Sequence, residues 1–169
     1  HRLNDLALGG GSLLDLGIYP ISFTWDILGA PATAQSAARI KDTGADAEIA
    51  TIFTYPGGEI ATTISTSVAA GPNAAWILGE NARIEIDRVW YTPTSFRVVD
   101  PAGAVLEDYV SKVDGRGMQY QALAAERLIA EGNLAGDILP IEETVAIMGT
   151  LDSVRAQLGV VYPKAATDA

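Results

Sequence analysis

Gly9-Gly10-Gly11-Ser12-Leu13-Leu14-Asp15-Leu16-Gly17-Ile18-Tyr19-Pro20-Ile21, continuing through Ser22-Phe23-Thr24-Trp25-Asp26-Ile27-Leu28 to Gly29-Ala30-Pro31, is the stretch that organises the chain. Three glycines, then Ser12, then an acid three residues on, have the form of a capping box, so a helix is expected to begin near Ser12 with Asp15 in its first turn. Gly29 and Pro31 end it. A spacing of four sets Asp15 and Tyr19 one above the other on a helix face, a carboxylate beside a phenol. Leu14, Ile18, Ile21, Trp25 and Leu28 follow the helical period and are expected to face a core. Pro20 removes a donor and crowds the Leu16 carbonyl, so a kink or a tightened turn is expected just after Gly17. On the residues alone two readings of the pair stay open. Either it is the polar edge of a core helix, or the acid polarises the tyrosine hydroxyl for proton transfer.

Working outward, the 169 residues suffice for one domain, or one large lobe of something bigger. There is no cysteine, which excludes disulfides, thiolate zinc sites and cysteine nucleophiles. His1 is the only histidine, so no histidine-based triad or multi-histidine metal site can be built, and at the terminus it is expected to be disordered. Eleven Lys and Arg against twenty-one Asp and Glu give a formal charge of −10, which argues against nucleic acid or an anionic membrane surface as partner. No run is read as approaching the ~20 apolar residues that span a bilayer. The opening His1-Arg2-Leu3-Asn4-Asp5 has neither a starting methionine nor an apolar signal core. The expectation is a fragment, or a chain that has lost its beginning, located in the cytoplasm.

After the first helix the period changes. Ala32 to Ile40, Ala45 to Tyr55, Gly58 to Val68, Ala74 to Leu78, Ala82 to Arg88, Ser95 to Val99 and Ala104 to Tyr109 read as seven short strands. Tyr55-Pro56-Gly57-Gly58, Gly79-Glu80-Asn81 and Asp100-Pro101-Ala102-Gly103 are turns between them, and connections this short imply antiparallel pairing. In the third strand Ile60, Ile64 and Val68 alternate with Ala61, Thr63, Ser65 and Ser67. The aliphatic face is expected to pack against helices; the small, hydroxylated face is left to be wet or to meet another protein. Trp90 and Tyr91, in the connector from Val89 to Thr94, either line a pocket or interface or cover the rim of the core.

From Arg116 the helical period returns, with Met118, Ala122, Ala125, Leu128 and Ile129 as an apolar stripe closed by Gly132-Asn133. A last helix, about Ile141 to Leu158, carries Val145, Met148, Leu151 and Val154 on one side. Glu142 and Glu143 in its first turn and Arg155 in its last suit the helix dipole, and Gly159 stops it. The tail from Pro163 to Ala169 is expected to be mobile. One helix, a strand meander and two helices make an α+β domain with helices on one face of an antiparallel sheet. No Gly-x-Gly-x-x-Gly, no P-loop and no carboxylate or histidine cluster at metal-ligand spacing occurs.

The run from Gly9 to Pro31 resembles the first C-terminal-domain motif of the glucose-fructose oxidoreductase / inositol dehydrogenase (Gfo/Idh/MocA) family, in the form found in its dihydrodiol and sugar dehydrogenase branch. Gly115-Arg116-Gly117-Met118-Gln119-Tyr120-Gln121-Ala122, and Leu139-Pro140-Ile141-Glu142-Glu143-Thr144 through Gly159 to Tyr162-Pro163, resemble the family's two closing helices. The resemblance implies a large, mostly antiparallel sheet with helices on one face, like the C-terminal domain of glyceraldehyde-3-phosphate dehydrogenase. Residues 1–163 would be the substrate-binding and oligomerisation domain and 164–169 a tail, with an N-terminal Rossmann domain for NAD or NADP absent from this chain.

By the same resemblance Tyr19 is the acid/base for the hydroxyl proton and Asp15 its support. On the residues alone Tyr120, Trp90 and Tyr91 either line a sugar or diol pocket, by stacking, or are core-edge aromatics, and Tyr120 and Trp90 are the candidates for substrate contact. The family's Glu-Lys-Pro lysine has no counterpart in Lys41, Lys112 or Lys164. The implied partners are a small-molecule substrate, a sugar, polyol or dihydrodiol oxidised at CH–OH, and further copies of the chain in a homodimer through the open sheet face. Alone, the chain is expected to be inactive. The other reading is a non-catalytic dimerising domain.

Overall fold

The computed structural model describes residues 2–163; His1 and the tail from 164 to 169, for which disorder was expected, lie outside the described residues. In chain order the elements are a π-helical turn (Leu13–Gly17), α1 (Ile18–Leu28), β1 (Thr33–Ile40), β2 (Asp46–Thr54), β3 (Ile60–Thr66), β4 (Ala75–Leu78), β5 (Arg83–Ile86), β6 (Phe96–Val99), β7 (Val105–Tyr109), α2 (Met118–Ala130) and α3 (Ile141–Leu158). All seven expected strands form, and every pairing is antiparallel. The ladder breaks after β3. Where one large sheet was implied, hydrogen bonding forms a three-stranded sheet β1-β2-β3 and a four-stranded sheet β4-β5-β6-β7. The connector between them contains Gly71 and Pro72, and proline has no N–H to donate to a ladder. The chain forms two compact units, one from residues up to Ala69 with those from Asp137 onward, the other from Ala70 to Gly136.

In the first unit the turn after β2 closes with Gly58 N–H donating to the Tyr55 carbonyl at 3.0 Å, and Gly58 takes φ +97°, which only glycine adopts without strain. The π turn, α1 and α3 all pack on this three-stranded sheet. Leu13, Ile21, Ile49, Phe53, Tyr55, Ile147, Leu151 and Val154 make the core, and Leu14, Ile18, Trp25 and Leu28 pack at its edge. The helical stripe read from the sequence is therefore the side that meets the core, with Ile21 fully buried and the other four partly so. Each fully buried core side chain contributes about 1.5–3 kcal/mol.

Three expectations about faces are corrected. In β3 the small face is the inner one: Thr63 and Ser65 are buried, while Ile60 and Ile64 are 68% and 70% exposed. The reason is the π turn, which comes so near to β3 that a Cβ on Gly17 would sit 3.2 Å from Ser65 Oγ, leaving no room for isoleucine there. In α3 the core stripe is Ile147, Leu151, Val154 and Leu158, and Val145 and Met148 stay exposed on the adjoining side. In α2 no residue is buried; Met118 and Ile129, expected in a covered stripe, are exposed.

The second unit holds the four-stranded sheet and α2. Gly79 N–H donates to the Ala82 carbonyl at 2.9 Å, and Gly103 N–H to the Asp100 carbonyl at 3.0 Å, closing the two turns anticipated there. Phe96 and Tyr109 stack across β6 and β7 with centroids 5.0 Å apart.

A further correction concerns membranes. The helical run Leu6–Leu28, of 23 residues with mean hydropathy 1.3, is long and apolar enough to cross a membrane by length and composition, although no such run was expected. Leu13 and Ile21 within it are buried in the core against the sheet.

Candidate active site

The helix bearing Asp15 and Tyr19 does not start as a local capping box. Ser12 is already helical (φ −79°, ψ −33°) and its hydroxyl makes no cap, being buried without a hydrogen-bond partner among the described residues. The first-turn amide of Leu13 donates instead to Asp46 Oδ2 at 2.7 Å, a partner supplied by β2. The turn that follows, Leu13–Gly17, is π-helical, so the expected distortion falls before Gly17 and widens the helix where tightening was expected. The π turn shifts the helix's hydrogen-bond register just ahead of Pro20, which has no N–H to donate and would crowd the carbonyl four residues back in a regular α-helix. Gly29 ends α1 as expected, its N–H donating to the Trp25 carbonyl at 2.8 Å.

Asp15 lies in the π turn and Tyr19 in the first turn of α1, four residues apart across the junction. The Asp15 carboxylate is paired with the Arg2 guanidinium, in a 3-10 turn (Arg2–Asn4) of the lead-in segment. Asp15 thereby faces a cation contributed by the lead-in segment, and the Arg2 side chain of that pair is more than half exposed. Tyr19 is 48% exposed, so its ring is accessible and not sealed within the core. The residue that sequence reasoning missed is Arg2, for which no local pattern signals a pairing thirteen positions away.

In the second unit Trp90 and Tyr91 meet edge to face with centroids 5.6 Å apart, Trp90 half-buried and Tyr91 more exposed. Trp90 N–H donates to the Asn73 carbonyl at 3.3 Å. Gly117, at φ +72°, opens α2 where a Cβ would lie 3.1 Å from Pro93 and 3.6 Å from Tyr120. Pro93 and Tyr120 thus both lie beside Gly117, and the Trp90–Tyr91 pair belongs to the same Val89 to Thr94 connector as Pro93.

The described residues contain no group of three His, Asp or Glu side chains placed to hold a metal ion. Every strand pair among the described residues is antiparallel, so they contain no parallel βαβ unit with a glycine-rich turn at its helix start.

A family model described as GFO/IDH/MocA C-terminal domain matches residues 1–85. Among curated proteins the chain is 30% identical over 171 residues to trans-1,2-dihydrobenzene-1,2-diol dehydrogenase of Mus musculus, covering 96% of this chain and 50% of that protein. It is 29% identical over 190 residues to the D-xylose 1-dehydrogenase (NADP(+)) of Hypocrea jecorina, covering 99% of this chain and 48% of that one. The chain spans about half the length of the curated relatives it matches. Among solved structures, an aldose-aldose oxidoreductase from Caulobacter crescentus superposes with TM-score 0.76 at 20% identity, over 92% of this chain and 47% of that one. A 3-ketoreductase from Actinomadura kijaniata, solved with NADP and TDP-benzene, superposes with TM-score 0.75 at 20% identity, over 92% of this chain and 48% of that one.

Proposed function

Because the chain belongs to the GFO/IDH/MocA family, as its C-terminal domain, we propose that it is the substrate-binding and oligomerisation half of an NAD(P)-dependent dehydrogenase acting on the CH–OH group of a sugar, polyol or dihydrodiol. The observation that carries this is the accessible phenol of Tyr19, one turn beyond a carboxylate paired with Arg2. In its phenolate form Tyr19 would take the hydroxyl proton while hydride leaves the same carbon for the dinucleotide, and as the phenol it would return that proton in the reverse direction. Asp15, paired with Arg2, orients the site around that hydroxyl. The dinucleotide is held mainly by a domain outside this chain and supplies the hydride acceptor. Trp90 and Tyr120 are the candidates for holding the substrate, by stacking.

Oligomerisation belongs to the same reading. The outer face of the three-stranded sheet carries Ile52, Ile60, Ile64 and Val68, all exposed, and a second copy of the chain laid against it would bury four aliphatic side chains per protomer. The dimer face is thus the aliphatic one, not the small hydroxylated one.

The test uses the complete protein with Tyr19→Phe, Asp15→Asn and the double variant. If the two act as a unit in proton transfer, each single change lowers kcat by about 10²–10⁴ with little effect on KM, and the double is scarcely worse than Tyr19→Phe alone. Additive losses would mean that the two groups act independently, and full turnover without the phenol would favour the non-catalytic dimerising domain.

A further inference from the structure

The side chain that joins the catalytic helix to the sheet lies outside that helix altogether. Asp46 is 1% exposed, at the first position of β2. A carboxylate buried this deeply is costly unless it is hydrogen-bonded. Its Oδ2 accepts the Leu13 amide at 2.7 Å. Its Oδ1 fills the space where a Cβ on Gly11 would be, and Gly11 takes φ +127°, so the glycine run admits the carboxylate to the start of the helix. A helix N-terminus, with unpaired amides and the positive end of the dipole, is the environment that offsets burial of an anion.

The strand is also built to aim this side chain. The β1–β2 register slips at Ile40, which pairs with Asp46 while Arg39 pairs with Glu48, and Asp46 and Ala47 are both buried in succession where alternation allows only one. Such a bulge turns a side chain out of the pleat's ordinary alternation. A serine cap would tie the helix only to itself. A cap from β2 fixes where the helix stands on the sheet, and the π turn bearing Asp15 begins at the capped residue.

We propose that Asp46 is a positioning residue for the Asp15–Tyr19 pair, a remote cap that sets the placement of the π turn. The inference rests on the proton-transfer reading of that pair. Two variants of the complete protein test it. Asp46→Ala removes cap and charge, and Asp46→Asn keeps an acceptor oxygen and the side-chain size. Each is compared with Tyr19→Phe by hydrogen exchange of the peptide spanning Ser12 to Tyr19. Each is also assayed for kcat and KM with NADP and D-xylose or trans-1,2-dihydrobenzene-1,2-diol, whichever the unmodified protein oxidises.

The expected result for Asp46→Ala is exchange about tenfold faster in that peptide alone, with kcat lowered about tenfold or more and KM within about twofold. Asp46→Asn shows the same pattern at smaller amplitude, and carries the test if Asp46→Ala does not fold. Turnover within about twofold of normal in the Asp46 variants, with Tyr19→Phe crippled, overturns the inference and leaves the catalytic reading standing. Faster exchange spread evenly over the chain with kcat unchanged overturns it too, by making Asp46 a general stabiliser. Full turnover in Tyr19→Phe overturns the reading beneath, whatever the exchange of Ser12 to Tyr19 shows.

Discussion

The Tyr162 hydroxyl donates to the Gly10 carbonyl at 2.8 Å, and the Arg155 guanidinium lies 5.2 Å from the centre of its ring. Burial pushes the Tyr162 phenol above its ordinary value, the Asp46 carboxylate pushes it further the same way, and Arg155 opposes both. The folded state therefore binds this proton more tightly than the unfolded chain does. Its contribution to stability is complete below about pH 10 and is lost as pH rises through the raised folded value. Tyr162→Phe is expected to lower stability by about 1 kcal/mol at neutral pH, the worth of one hydrogen bond, and to flatten the alkaline decline in Tm. Thermal melts across the alkaline range check both. At this scale the sequence shows which residues are capable of chemistry but not who meets whom. Spacing makes Asp15 and Tyr19 neighbours and the family resemblance is what singles them out, whereas Arg2 and Asp46 reach the same helix from thirteen and thirty-three positions away. Ser12 had the local form of a cap and lost the position to a carboxylate delivered by a strand.

Elements were legible wherever the signal was periodic or punctuated. The spans of α1 and α3 follow from apolar repeats bounded by Gly29 and Gly159, and the strand turns from Pro and Gly. Which face of an element points inward was less legible, because that is decided by what packs on it. Alternation in β3 identifies two faces, and the natural inference buries the larger side chains; the close approach of the π turn at Gly17 reverses it. In α3 the expected and the observed stripes share Leu151 and Val154, and the core takes Ile147 on their flank, not Val145 and Met148. Leu151→Ala is therefore expected to cost about 2–5 kcal/mol, and Val145→Ala to stay within about 0.5 kcal/mol of the unmodified protein, in denaturant titrations. A large loss at Val145 would move the core to the other stripe. The π turn itself has a visible cause in Pro20, although the sequence does not say on which side of Gly17 the helix gives way.

For the whole molecule, the exposed aliphatic face of β1-β2-β3 predicts self-association: the complete protein sediments as a homodimer, and Ile64→Lys, which sets a charge at the centre of that face, yields monomer with the fold intact. A protein that is monomeric at every concentration before mutation contradicts the interface. The larger claim is a division of labour, in which this half handles the substrate's proton and another domain holds the dinucleotide. It is tested most directly by the kcat of the complete protein carrying Tyr19→Phe, at saturating NADP and sugar or dihydrodiol. The account predicts a fall of about 10²–10⁴ with the fold and KM little changed; a kcat equal to that of the unmodified protein would contradict it.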